Sequence, residues 1–244
     1  MLETLPWVGF GLFCAASLWV GIRLLRLWTR TRQVAELLAA GALLLIGPLG
    51  FGGVVLSSAL ESYSLALANV VWALAAASVN AGSAACYGFS KRVFRPGEPR
   101  VRATVITLML ALAVCWFGEL WTHRFDASRP SGPFTRASDW LRVGALAWGA
   151  FEALRYHARL RRRLALGLAE PLLVRRFLLW GLGLGGAALS CSIDATAKLF
   201  VDRALDYAAL TLLDAAAGTL AAACLFLSFL PRRGRRSTPS PIVR

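Results

Sequence analysis

The sequence predicts an all-α, polytopic membrane protein: a bundle of seven transmembrane helices with the N-terminus outside and the C-terminus cytoplasmic. Three observations carry that prediction. Of the 244 residues, 57% are hydrophobic and 16% charged, which is too apolar for an ordinary soluble domain. Almost every window of about 20 residues falls within an apolar run long enough to cross a hydrocarbon core. The formal charge of +14, from 27 Lys and Arg against 13 Asp and Glu, sits mostly on alternate connections between those runs. A soluble nucleic-acid binder of this charge would need a folded polar surface. Too little polar sequence exists to build one, so nucleic acid is not expected as a partner.

The first span, 5–25, follows a segment that contains Glu3 and no basic residue. It runs into Arg23, Arg26, Arg30 and Arg32 instead of a small-residue cleavage site, so it is expected to be retained and not removed as a signal peptide. The second, 34–56, is interrupted by Gly47, Pro48, Gly50, Gly52 and Gly53. Membrane helices tolerate such residues where neighbours satisfy the freed backbone groups. Dropping this span would also place the basic first and third connections on opposite sides. Further spans are 65–89, 103–121, 140–156, 177–196 and 208–230. In the sixth, Gly181, Gly183, Gly185 and Gly186 form a small-residue face, with GxxxG spacing from Gly181 to Gly185. Residues 1–231 thus read as one transmembrane domain and 232–244 as a basic, disordered cytoplasmic tail. Trp7, Trp28, Trp121 and Trp140 fall near span ends, where tryptophan favours the interface.

Orientation follows from the loops. Connections one, three and five with the C-tail hold 21 of the 27 basic residues, and the other side holds Arg124, Arg129, Arg136, Arg142, Lys198 and Arg203. Basic loops stay inside, which places the protein in an inner (plasma) membrane with its cytoplasmic face against anionic lipid. The outer loop 123–139 reads as a surface turn around Pro130, Gly132 and Pro133. The inner stretch 159–176 reads as extension of its flanking helices, with a short amphipathic piece along the inner headgroups as the alternative. All five cysteines, Cys14, Cys86, Cys115, Cys191 and Cys224, lie in apolar runs without the paired spacings of metal or redox sites. Lysine occurs only at positions 91 and 198, and the Arg, Ala, Gly and Leu bias suggests a GC-rich bacterial genome.

Ionisable groups within spans cost about 2.5–3.5 kcal/mol on insertion scales, so each requires a partner or a wet cavity. Glu36 with Arg32, and Glu152 with Arg155, have the spacing of local salt bridges near the inner side. The outer layer holds the ligand or ion pocket candidates Glu119, Asp194, Lys198, Asp206 and Asp214. Asp194 and Lys198 are spaced to pair on one helix. Glu119 and Asp214 have no opposite charge within a turn of their own spans. In the third span Asn69, Trp72, Ala76, Asn80, Ser83 and Tyr87 recur at helical spacing as one polar stripe, readable as interhelical bonding or as a water path.

Catalysis finds little support. His123 is expected outside and His157 inside, no cluster has metal-ligand spacing, and nucleotide or GxSxG motifs are absent. Seven spans with an outside N-terminus are similar in layout to rhodopsins and to receptors coupled to G proteins. The seventh span contains no lysine, however, so covalent retinal is not expected, and no other cofactor is implied. The expected function is a non-enzymatic, sensor-like or receptor-like module with an outward-facing polar pocket and a cytoplasmic or membrane protein partner. A proton- or cation-linked small-solute transporter is the alternative, and an accessory subunit of a membrane complex is a third. The outer side, with nine acids against six cations, selects for a cationic small ligand.

Overall fold

The computed structural model describes residues 5–122, 124–126, 132–198 and 207–229. Every element among them is helical: α1 Leu5–Thr31, α2 Val34–Leu44, a π-helical segment Leu45–Phe51, α3 Gly52–Leu60, α4 Leu65–Phe94, α5 Pro99–Thr122, α6 Pro133–Ala165, α7 Pro171–Ala197 and α8 Tyr207–Phe229. α2, the π segment and α3 form one unbroken rod. Six of the helical rods are long and apolar enough to cross a membrane. α6 is the remaining one, and its charges explain why.

Local chemistry sets the helix starts. Pro99, Pro133 and Pro171 each open a helix, where a missing N–H costs nothing and the fixed φ already suits the first turn. α4 starts at Ser64, whose hydroxyl accepts from the Leu67 N–H at 3.4 Å. Pro48 breaks the regular ladder inside the second rod, and the backbone widens into the π segment around it. This keeps the glycine-rich second span continuous to Leu60. Gly50 lies so close to α4 that a Cβ would stand 2.4 Å from Val79 Cγ2, and within its own π segment the Leu45 carbonyl would be 2.6 Å away.

The rods close into a ring in the order α1, second rod, α4, α6, α7, α8 and back to α1, with α5 packed outside against α4 and α6. Ile46, Tyr87, Leu112, Leu146, Ala187 and Ala221 belong to one buried core that joins the ring to α5. Gly183 and Gly186 of α7 pack against α8, whereas Gly181 and Gly185 face Leu154 and Ala150 of α6. The GxxxG pair and its neighbours therefore serve two interfaces. Leu110, Val114 and Phe117 of α5 remain exposed on the outer surface, an apolar face of the kind lipid solvates.

Several expectations change here. α6 begins seven residues before the expected 140–156 span, so 133–139 is helix and not surface turn, and Asp139 and Arg142 are buried. Charged groups on a helix enclosed by α4, α5 and α7 face protein instead of hydrocarbon, which is how α6 bears them. α1 ends at Thr31, and Arg32 turns away with φ 57°, so no helix face joins it to Glu36. Glu36 instead accepts from the Thr31 hydroxyl. Glu152 pairs with Arg95 of the α4–α5 turn at 2.9 Å, not with Arg155, because the C-terminal half of α6 passes that turn. The inner stretch is helix extension to Ala165, then a turn with Gly167 at φ 70°. The five cysteines are free, four of them buried. His123, Asp206 and the tail 232–244 lie outside the described residues.

Candidate ligand cavity

One end of the ring, where α3, α5 and α7 finish and α4, α6 and α8 begin, encloses a cavity of about 440 Å³. Its wall includes Glu119, Asp194, Lys198, Asp214, Trp72, Ala76 and Asn80 from the residues singled out in the sequence. Asp139, Arg142, Glu61 and the aromatic rings of Phe13, Phe51, Trp116, Phe125 and Phe134 line it with them.

Asp139 organises the charges. Its Oδ1 accepts from Arg142 Nη2 at 2.6 Å, one turn along α6, and its Oδ2 accepts from Lys198 Nζ at 3.0 Å. Lys198 also reaches Asp194, four residues back on α7, at 2.8 Å. Two cations and two carboxylates thus form a neutral chain linking α6 to α7. Burial disfavours the Lys198 ammonium, but the carboxylates of Asp139 and Asp194 outweigh it and raise its pKa above the ordinary lysine value. The Arg142 guanidinium lies 5.3 Å from the Phe51 ring centroid, and its Nε has no hydrogen-bond partner although buried.

Glu119 is 3% exposed and accepts from the Thr135 backbone N–H at 3.0 Å. Gly132, at the start of α6, has no side chain with which to cap it, and Glu119 supplies the missing acceptor from α5. Asp214, half-buried, accepts from the Ser190 hydroxyl across the α7–α8 interface. Among the described residues no basic group pairs with either carboxylate.

The polar stripe of α4 divides. Asn80 joins three helices, donating to the Leu112 carbonyl at 3.2 Å and accepting from Ser138. Tyr87 donates to the Leu141 carbonyl at 2.7 Å, and Ser83, fully buried, bonds back to Val79. Trp72 and Asn80 face the cavity; Asn69, Ser83 and Tyr87 do not line it. Phe125 closes the wall beside Trp72 and Trp116, at centroid distances of 6.4 and 5.7 Å. It gets there through a turn in which Arg124 and Phe125 both hold positive φ, 52° and 51°. Such backbone is sterically costly for side chains of this size and is held by the burial of the ring.

Sequence reasoning missed Asp139, Arg142 and Phe125. The first two were within reach, since Pro133 after Gly132 is a helix-start signal that would have drawn them into the span. Phe125 had no signal of its own. Among the described residues no three His, Cys, Asp or Glu side chains gather as metal ligands. No family model, curated protein or solved structure matches this chain.

Proposed function

We propose that the chain is a seven-crossing inner-membrane binding module, sensor-like in role, that takes a small ligand into this cavity from outside. Its arginine-rich opposite end would lie in the cytoplasm against anionic lipid and a protein partner. The observation that carries the reading is the cavity itself: buried, bonded side chains from several rods converge on a volume within the range of small-molecule sites. The stripe that would continue it toward the other end is occupied by Ser83 and Tyr87, each already bonded within the protein. That favours a binding pocket over a transport path.

Gly218 provides the test. It lines the cavity, and a Cβ there would meet nothing within 4 Å, so a side chain can start into the space without a clash at its root. Thermal unfolding of the purified protein is measured against a panel of small cations, zwitterions, anions and neutral polar compounds. At least one should raise the unfolding temperature of the native chain, and Gly218→Phe should remove that shift while unfolding near the native temperature without ligand. No stabilisation by any class would overturn the proposal.

A further inference from the structure

Resting on that binding reading, we infer that the cavity recognises an organic ammonium compound bearing an oxygen acceptor. The charge balance comes first. Asp139 and Asp194 are consumed by Arg142 and Lys198, whereas Glu61, Glu119 and Asp214 line the same space with no basic partner among the described residues. A ligand entering here meets three uncompensated carboxylates, Glu119 and Asp214 in a largely enclosed, weakly screened setting and Glu61 more exposed.

The remaining wall distinguishes the kind of cation. Trp72, Trp116, Phe125 and Phe134 line the cavity together with Glu119. Aromatic faces attract an ammonium and remain in contact with its alkyl groups. A bare divalent metal would instead require several oxygens converging on one point, and the described residues contain no such group. The neutral chain adds an independent demand. Arg142 is 6% exposed, lines the cavity, and keeps guanidinium donors for which Asp139 is the one oxygen acceptor among the described residues. A buried donor of this kind is costly to leave unmade, and a hydroxyl, carbonyl or phosphate oxygen on the ligand would satisfy it. A soluble amine and an aminolipid headgroup share this chemistry.

Isothermal titration of the full chain in phosphatidylglycerol discs, which contain no ammonium headgroup, tests it. The probes are choline, ethanolammonium and 2-phenylethylammonium. Choline is compared with its neutral isostere 3,3-dimethylbutan-1-ol and with propyltrimethylammonium, which lacks the oxygen. At least one ammonium probe should bind. Choline should bind at least tenfold tighter than the neutral isostere and severalfold tighter than the deoxygenated cation. Glu119→Gln keeps the acceptor for Thr135 and should weaken ammonium binding about tenfold, as should Asp214→Asn. Doping the discs with phosphatidylethanolamine separates the sources: competition with the soluble probe assigns the site to a headgroup, and unchanged affinity assigns it to a soluble amine. Equal binding of choline and its isostere, unchanged affinity in both carboxylate variants, or no binding of any ammonium probe overturns the inference. If a neutral or anionic compound still gives a shift abolished by Gly218→Phe, only the ligand class falls. If nothing of any charge stabilises the protein, the binding reading falls too.

Discussion

Asp139 holds two cations that have no other buried anion. Arg142 depends on it at 2.6 Å, and Lys198 shares it with the more exposed Asp194. Truncating one partner of a buried charge pair leaves the other charge uncompensated, so Asp139→Asn should destabilise the folded protein by about 3–5 kcal/mol. Asp194→Asn removes a carboxylate that is 47% exposed and whose one ion pair among the described residues is with Lys198; that change should cost below about 1 kcal/mol. Denaturant unfolding in detergent compares the two. An Asp139→Asn protein as stable as Asp194→Asn would show that the network does not hold α6 to α7. The Asp194–Lys198 pairing could be read from spacing alone, because both ends lie on one helix. Asp139 could not be read that way, because its value comes from a lysine 59 positions away. Glu119 behaves similarly: its acceptor role depends on the beginning of a helix from which it is separated by a connection in the chain.

At the scale of elements, the rods were legible and their irregularities were not. A hydrocarbon core imposes length and apolarity on anything that crosses it, so runs of about 20 apolar residues declare helices whatever they pack against. The start of α6 was hidden because its first three turns carry Arg136, Asp139 and Arg142, which hydropathy counts as polar wherever they point. The π segment was visible only as a glycine-proline cluster, tolerable in a membrane but without a stated conformation. Its packing now makes a sharp comparison. At Gly50 a methyl would press on Val79 and on the Leu45 carbonyl, and a backbone atom cannot move aside as a side-chain tip can. Gly50→Ala should therefore destabilise the bundle by about 1–3 kcal/mol, the usual cost of overpacking. Gly52 opens α3 two residues later with nothing within 4 Å of its would-be Cβ, so Gly52→Ala should leave stability unchanged or slightly raised. Thermal melts of the two variants decide it. Equal effects would mean that the second rod does not sit against α4 through this segment.

For the whole molecule, the sequence sets the height of each charge along a rod but not the side on which it faces, which is why convergence of Glu119, Asp194, Lys198 and Asp214 on one cavity could not be read beforehand. Ring closure, with α8 against α1, turns these heights into a shared space. It also separates the two ends by charge. Arg155, Arg159 and Arg161 to Arg163 finish α6, Arg175 and Arg176 begin α7, and Arg92, Arg95, Arg100 and Arg102 surround the α4–α5 turn, all at the end opposite the cavity. Basic segments resist translocation, so that end should be cytoplasmic and the cavity should open outward. Tyr63 at the cavity end and Leu168 in the α6–α7 turn are 86% and 73% exposed, which suits them to report the two sides. The native cysteines contribute little background, since four are buried and Cys14 is half-buried within α1. A membrane-impermeant thiol reagent applied to intact cells should label Tyr63→Cys at once and Leu168→Cys only after permeabilisation. The reverse pattern would turn the protein over, expose the cavity to the cytoplasm, and require its ligand to be sought among intracellular solutes.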